Sequence, residues 1–390
     1  MVTDSQGGAA RAAAPEAAPI ARLRGFHPGW FGAVMGTAVI GIAASPNPGG
    51  IAAVAPAARA LSQAMVVLAV VLAVALGVPY LGRWLVHRDA ALRDLRDPVA
   101  GALYGTLPAG LLVLAAAAAA VGPTVLSPAT DGAVVAGLAW AGVPLAFLMS
   151  LVFAYLLFVR SELVHESVNG GWFIPPVATI IVPLVLVPLI PGSPPALARA
   201  LLLGAYGFWG MGFLLYVLIA TTLHHRLVVH PLPHAGLAPS FWIGLGPIGV
   251  GTVALVKMAA AGSVVFGPLA HEVALTATLA ATALWGFGVW WLCAAAILLV
   301  HYLRAGPLPY GVGWWAFTFP LGAYTVATLS LARAWNLGGL EWAGAGLFTL
   351  LGCFWLLVVG GTLWALRTGR LWRAAAPAAR TAPPAGADTA

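Results

Sequence analysis

Apolar residues fall in long unbroken runs along this chain instead of alternating with polar ones. A helix crosses the hydrocarbon core of a bilayer with about 20 apolar residues, and ten runs meet or approach that length. They cover 28–44, 61–86, 99–121, 132–159, 172–190, 200–223, 240–261, 273–300, 312–334 and 342–366. The pattern predicts an all-α integral membrane protein of ten transmembrane helices. Composition sharpens the point: 7% of residues are charged and 61% hydrophobic, whereas soluble domains carry about 25% charged residues. A water-soluble fold is excluded. Residues 1–25 lack the compact apolar core and cleavage site of a secretory signal peptide. They read as a disordered cytoplasmic segment, 26–370 as the transmembrane domain, and 371–390, rich in Ala and Pro, as a disordered cytoplasmic tail.

Charge sets the expected orientation, because cytoplasmic loops accumulate Lys and Arg. With the N-terminus inside, fourteen of the 18 basic residues fall on the cytoplasmic side. Arg59, Arg199 and Arg333 fall outside, and Lys257 lies within a span. Both termini are expected in the cytoplasm. No basic run is interleaved with aromatics as a nucleic-acid surface would be. Cys293 and Cys353 both sit in apolar runs, so neither a disulfide framework nor a Cys-based metal site is expected.

Odd-numbered runs share one feature. Three carry Pro-x-Gly: "LPAG" with Pro108, "GPIG" with Pro247 and "FPLG" with Pro320. Each proline comes seven to nine residues after its run begins, at a depth of about 11–14 Å. Gly36 of "VMGT" sits at the same depth in the first run, and "WFIPPVATIIVP" brings Pro175, Pro176 and Pro183 to the fifth. Irregular backbone at membrane depth is tolerated where it lines a cavity or is buried in protein. Gly36, Pro108, Pro176, Pro183, Pro247 and Pro320 are therefore expected to be kinks lining a central pathway, the straighter even helices standing outside. The alternative is that Pro and Gly are simply frequent in membrane helices.

Five segments in order, "FHPGWFGAVMGTAVIGIA" (26–43), "DPVAGALYGTLPAGLL" (97–112), "GGWFIPPVATIIVP" (170–183), "LAPSFWIGLGPIGVGT" (237–252) and "GWWAFTFPLGAYTVAT" (313–328), resemble the tellurite-resistance/dicarboxylate transporter family. "HPGWFGAVMGT" is nearer its malate and sulfite branch, although Ala38 stands where that branch usually has Gly. The resemblance implies ten helices as five quasi-repeated hairpins around a central pore, assembled as a trimer in the plasma (inner) membrane. It implies transport of small anions, with C4-dicarboxylates such as malate the first expectation and sulfite or another small inorganic anion the alternative. It also implies a phenylalanine gate on the ninth helix, which falls on Phe319, with Phe317 a weaker candidate.

Other residues keep two readings. Lys257 either attracts anions within the membrane or snorkels to the outer surface. His27 either greets anions at the first helix or caps it. Thr37, Thr106, Thr318 and Thr325 either face the pathway or bond back to the preceding turn. His224, His225, His230 and His234 share one loop, where solvated side chains are expected ahead of a metal site. No carboxylate falls in mid-span, so any proton coupling is expected to ride on a protonated substrate. A haem-carrying redox subunit would need His pairs within the bilayer, and all nine histidines fall in loops or at span ends. Hydrolase motifs are absent. No enzyme activity, cofactor or metal is expected.

Overall fold

The computed structural model describes residues 23–160 and 164–369, all the longer elements of which are helical. The expected segments 1–25 and 371–390 lie outside the described residues, apart from residues 23–25. Five successive pairs of helices make up the body. Each pair begins with a helix buried inside the molecule and returns with a longer one outside it. The inner helices are α1 (Phe31–Ala44), α4 (Thr106–Val121), α6 with α7 (Ile174–Ile181, Pro183–Leu186), α9 (Leu245–Phe266) and α11 (Phe319–Ala334). The outer ones are α2 (Ala55–Val86), α5 (Pro128–Phe158), α8 (Pro195–Val229), α10 (Ala270–Ala305) and α12 (Gly338–Arg367), and a short surface helix α3 (Arg88–Arg96) follows α2.

Among the described residues, seven stretches are long and apolar enough to cross a membrane, one of which, Ala235–Ala305, contains both α9 and α10. The inner α-helices are short because each is entered through a stretch of 3-10 helix: Pro28–Trp30, Gly101–Gly105, Gly170–Phe173, Ala235–Gly244 and Val312–Phe317. The prolines explain this. Pro108, Pro176 and Pro247 are third in their α-helices and Pro320 is second. In a first turn the missing N–H has no partner to lose and the fixed φ suits the helix. These prolines therefore start α-helices at depth instead of bending continuous ones. Only Pro183, which separates α6 from α7, interrupts a helix, and Gly36 lies inside an unbroken α1.

Inner and outer helices differ sharply in burial. In the most apolar part of Gly101–Thr124 and of Gly170–Leu189, 72% of residues are buried, against 11–22% in the outer helices. Four of the five outer helices turn one narrow stripe inward, at seven-residue spacing: Ala139, Ala146 and Phe153 on α5, Ala198, Ala205 and Gly212 on α8, Ala281, Gly288 and Ala295 on α10, Gly344, Leu351 and Val358 on α12. Small residues in such a stripe let helix backbones approach closely where lipid removes any hydrophobic drive. A side chain at Gly142, Gly212, Gly288 or Gly344 would strike Leu112, Ile180, Tyr324 or Leu329 of the inner helices. The remaining faces present Leu85, Leu203, Ile297 and Leu356 outward, as a lipid-facing surface requires.

The inner helices contact one another in chain order, α1 with α4, α4 with α6, α6 with α9, α9 with α11, and α11 back with α1. They form a closed ring. Every outer helix touches its own inner partner and the next one around the ring. The ring has an entry face, where the 3-10 segments begin, and a far face, where the inner helices end.

Candidate functional site

Inside the ring, towards the far face, lies a cavity of about 440 Å³. The inner helices of all five pairs contribute to it: Val39 and Ile42 from α1, Val113 and Ala116 from α4, Ile181 and Leu184 from α6 and α7, Val250 and Val253 from α9. From α11 come Phe319, Ala323, Val326, Ser330 and Arg333. Their spacing of four, three, four and three is one face of an α-helix. Phe319 and Arg333 thus mark opposite ends of one stripe, about 21 Å apart along the axis. Towards the entry face the lining stops at Phe319.

The polar groups in this lining are few and unevenly committed. Ser45 Oγ donates to Ile42 O at 3.0 Å, and Ser330 Oγ to Val326 O at 2.7 Å, so both hydroxyls are spent on their own helix. Arg333 donates one Nη2 hydrogen bond to Pro46 O, at 2.7 Å. Lys257 makes no hydrogen bond or ion pair among the described residues, and no described carboxylate lines the cavity. Two cations in a largely apolar cavity make it more favourable to anions than to cations.

The expected site residues separate into groups. Phe319 and Lys257 both reach the cavity. Lys257 is not at a helix end: α9 runs nine residues further, to Phe266. Gly36, Pro108, Pro176, Pro183, Pro247 and Pro320 are all buried, but none of the six lines the cavity. They belong to the packing between inner helices. A Cβ on Gly36 would overlap Thr318, and one on Gly249 would lie 2.5 Å from Ala323 C and Tyr324 N. Phe317 packs against Trp242 and Phe354, at ring separations of 5.6 and 5.3 Å, and is absent from the cavity. Thr106, Thr318 and Thr325 donate back to Leu103 O, Trp315 O and Leu321 O, and Thr37 Oγ1 accepts from Trp355 Nε1 at 3.1 Å. These hydroxyls serve the packing of the ring.

His27 does not stand free at the entry face. Its Nδ1 accepts from Gly29 N at 3.1 Å, capping the first 3-10 segment. Burial holds the imidazole well below its usual range, at about 4, with Asp94 pulling it up and Arg83 pushing it down. It is therefore uncharged near neutral pH and supplies no fixed positive charge. Asn169 Oδ1 caps Gly171 N and Asp97 Oδ1 caps Val99 N in the same manner. In the loop histidines, His230 stacks on His165 at 4.0 Å. No group of three or more His, Cys, Asp or Glu suited to a metal occurs among the described residues.

Sequence reasoning assigned the arginines to topology and so missed what several of them hold. Buried Arg83 pairs with Asp94 and donates to Tyr104 Oη at 3.2 Å. Arg160 donates to Arg96 O at 2.7 Å, and Arg226 to His165 O and Pro231 O at 3.1 and 2.7 Å. These bonds fasten the ends of outer helices to the loops that lead into inner helices, for Arg160 and for the Arg226–His165 bond the inner helix of the same pair. Arg333 was missed as a cavity residue, although its spacing from Phe319, Ala323 and Val326 was visible in the sequence.

The comparisons agree with this architecture. An uncharacterized transporter of Methanocaldococcus jannaschii is 32% identical over 90% of this chain and 96% of its own length. A sulfite efflux pump of Trichophyton rubrum is 25% identical over 90% and 93%. A malic acid transport protein of Schizosaccharomyces pombe is 21% identical over 56% of this chain and 51% of its own. These relatives are transporters and not enzymes. Residues 25–363 match the family described as voltage-dependent anion channel. With a ring of inner helices around an apolar, cation-rimmed cavity, the chain is a multi-pass membrane protein that belongs to the voltage-dependent anion channel family.

Proposed function

We propose that the chain carries small oxyanions through the centre of its inner ring, with sulfite the first substrate and C4-dicarboxylates such as malate the second. The observation that carries this reading is the cavity itself, lined by the inner helices of every pair, apolar along its walls and bearing Lys257 and Arg333. Sulfite ranks ahead because the similarity to sulfite efflux pumps runs through nearly the whole of both chains, whereas that to the malic acid transporter covers about half. The room in the cavity and its two cations favour keeping malate as the second reading.

In this reading all five pairs cross the plasma membrane, giving ten passes, and the entry face with both termini is cytoplasmic. Phe319 closes the pathway: an apolar ring at the end of a narrow tunnel excludes water as well as blocking it. Lys257 draws anions into the far mouth. Three chains assemble, each with its own pathway. With no carboxylate among the described lining residues to relay protons, the proton travels on the substrate as bisulfite or hydrogen malate.

Reconstitution into liposomes under a set voltage and pH gradient tests the proposal. Flux of sulfite, malate, nitrate and chloride is compared with that of potassium. Anion flux well above potassium flux, with sulfite ahead of malate, is the expected result. Equal cation and anion flux overturns the anion pathway, and malate ahead of sulfite reverses the substrate order.

A further inference from the structure

Behind Arg333 stands a carboxylate that does not reach the cavity. Glu341, near the start of α12, places Oε1 at 3.6 Å from Arg333 Nη2. The same oxygen accepts from Gly49 N at 3.2 Å, while Arg333 donates to Pro46 O at 2.7 Å. The loop after α1 makes both contacts by turning sharply, with Asn47, Gly49 and Gly50 at φ of 54°, 85° and 65°. Pro46 and Arg333 line the cavity whereas Glu341 does not. The Glu341 side chain is 18% exposed, that of Arg333 51%.

We infer that Glu341 sets the charge class of the anion accepted at the far mouth, by offsetting one of the two cations there. This rests on the reading of the cavity as an anion pathway. Arg333 and Lys257 supply two positive charges and Glu341 removes one, leaving a net single charge that suits a monoanion. A guanidinium has five N–H donors, and the contacts with Pro46 and Glu341 leave others free for a passing anion. The ion pair is long and half-exposed, the kind that holds weakly, so an anion competes for Arg333 without first breaking a strong bond. Glu341 lowers the field without standing in the path. A dianion feels any change in that field twice as strongly as a monoanion does.

The test uses the full chain in liposomes with two probes of fixed charge, nitrate as transported monoanion and sulfate as dianionic competitor on the far side. In Glu341→Gln the amide oxygen still accepts from Gly49 N while the charge is lost. A unit charge about 6 Å away in a water-like dielectric alters monoanion binding about threefold and dianion binding by the square of that. The concentration of sulfate that halves nitrate flux should therefore fall about threefold relative to the nitrate KM, with kcat held within about twofold. Arg333→Gln/Glu341→Gln returns the net charge to one, and the ratio should return to the wild-type value. Lys257→Gln should move it the opposite way. An unchanged ratio in Glu341→Gln, or a double variant that keeps the altered ratio, overturns the inference while leaving the pathway reading intact. Wild-type vesicles that pass no nitrate and no other anion overturn both.

Discussion

Phe319 and Phe317 stand two residues apart and meet opposite surroundings. Phe319 faces the cavity, and Phe317 is wedged among Trp242, Trp314 and Phe354. Phe319→Ala is expected to raise anion flux per folded protein several-fold, whereas Phe317→Ala should lower folded yield, since truncating a core phenylalanine costs about 3–5 kcal/mol. Liposome flux normalised to the monodisperse fraction separates the two, and a fall in flux for Phe319→Ala refutes the gate. His27 gives a second contrast. As a cap it should be replaceable by Asn, whereas Ala should cost about 1 kcal/mol. Its low pKa also has a sign: below the usual 6.5 the unfolded chain takes up a proton that the folded chain refuses until about pH 4. The stability it supports is complete above pH 6.5 and declines between there and pH 4. Thermal unfolding in detergent across that range, for wild type and His27→Asn, should show the slope in the former and its loss in the latter.

Among the elements, the inner helices test what proline does at membrane depth. Because Pro247 occupies the first turn of α9, Pro247→Ala should change stability by no more than about 1 kcal/mol. Gly249→Val, two residues on, drives a side chain into the backbone of α11 and should cost about 1–3 kcal/mol or prevent assembly. Detergent melting curves decide between this and the kink reading, which expects Pro247→Ala to be the more damaging change. That these prolines fall at a similar distance along the odd-numbered runs was legible in the sequence because Pro and Gly punctuate apolar runs. That α-helix begins there, after 3-10 helix, was not: an uninterrupted apolar run looks alike in either conformation. The inward stripes of the outer helices were hidden for a related reason. Ala and Gly make up most of those stripes, and both are common on the faces turned away. Glu341 was beyond reach, because its partners Gly49 and Arg333, with Pro46 bonded to the latter, come together only when the last pair closes on the first.

At the scale of the molecule, the two faces differ in charge. Arg83, Arg160, Arg226, Arg304 and Arg367 lie at the entry-face ends of the outer helices, while Arg59, Arg199 and Arg333 lie at the other end. A cysteine at Ser193 should accordingly react with an impermeant thiol reagent added to intact cells, and one at Pro233 should not, in a background with Cys293 and Cys353 replaced. The reverse pattern would invert the protein in the membrane. The closure of the ring carries a further consequence, for synthesis. Four of the five joints between inner helices join neighbours in the chain, but the fifth, α11 to α1, joins its two ends. The Trp355–Thr37 hydrogen bond spans 318 residues of sequence. A ribosome that has delivered four pairs into the membrane has therefore made walls that do not yet enclose the cavity. The cavity is enclosed only when the last helices arrive, so the fifth pair decides when in synthesis the finished lining first exists.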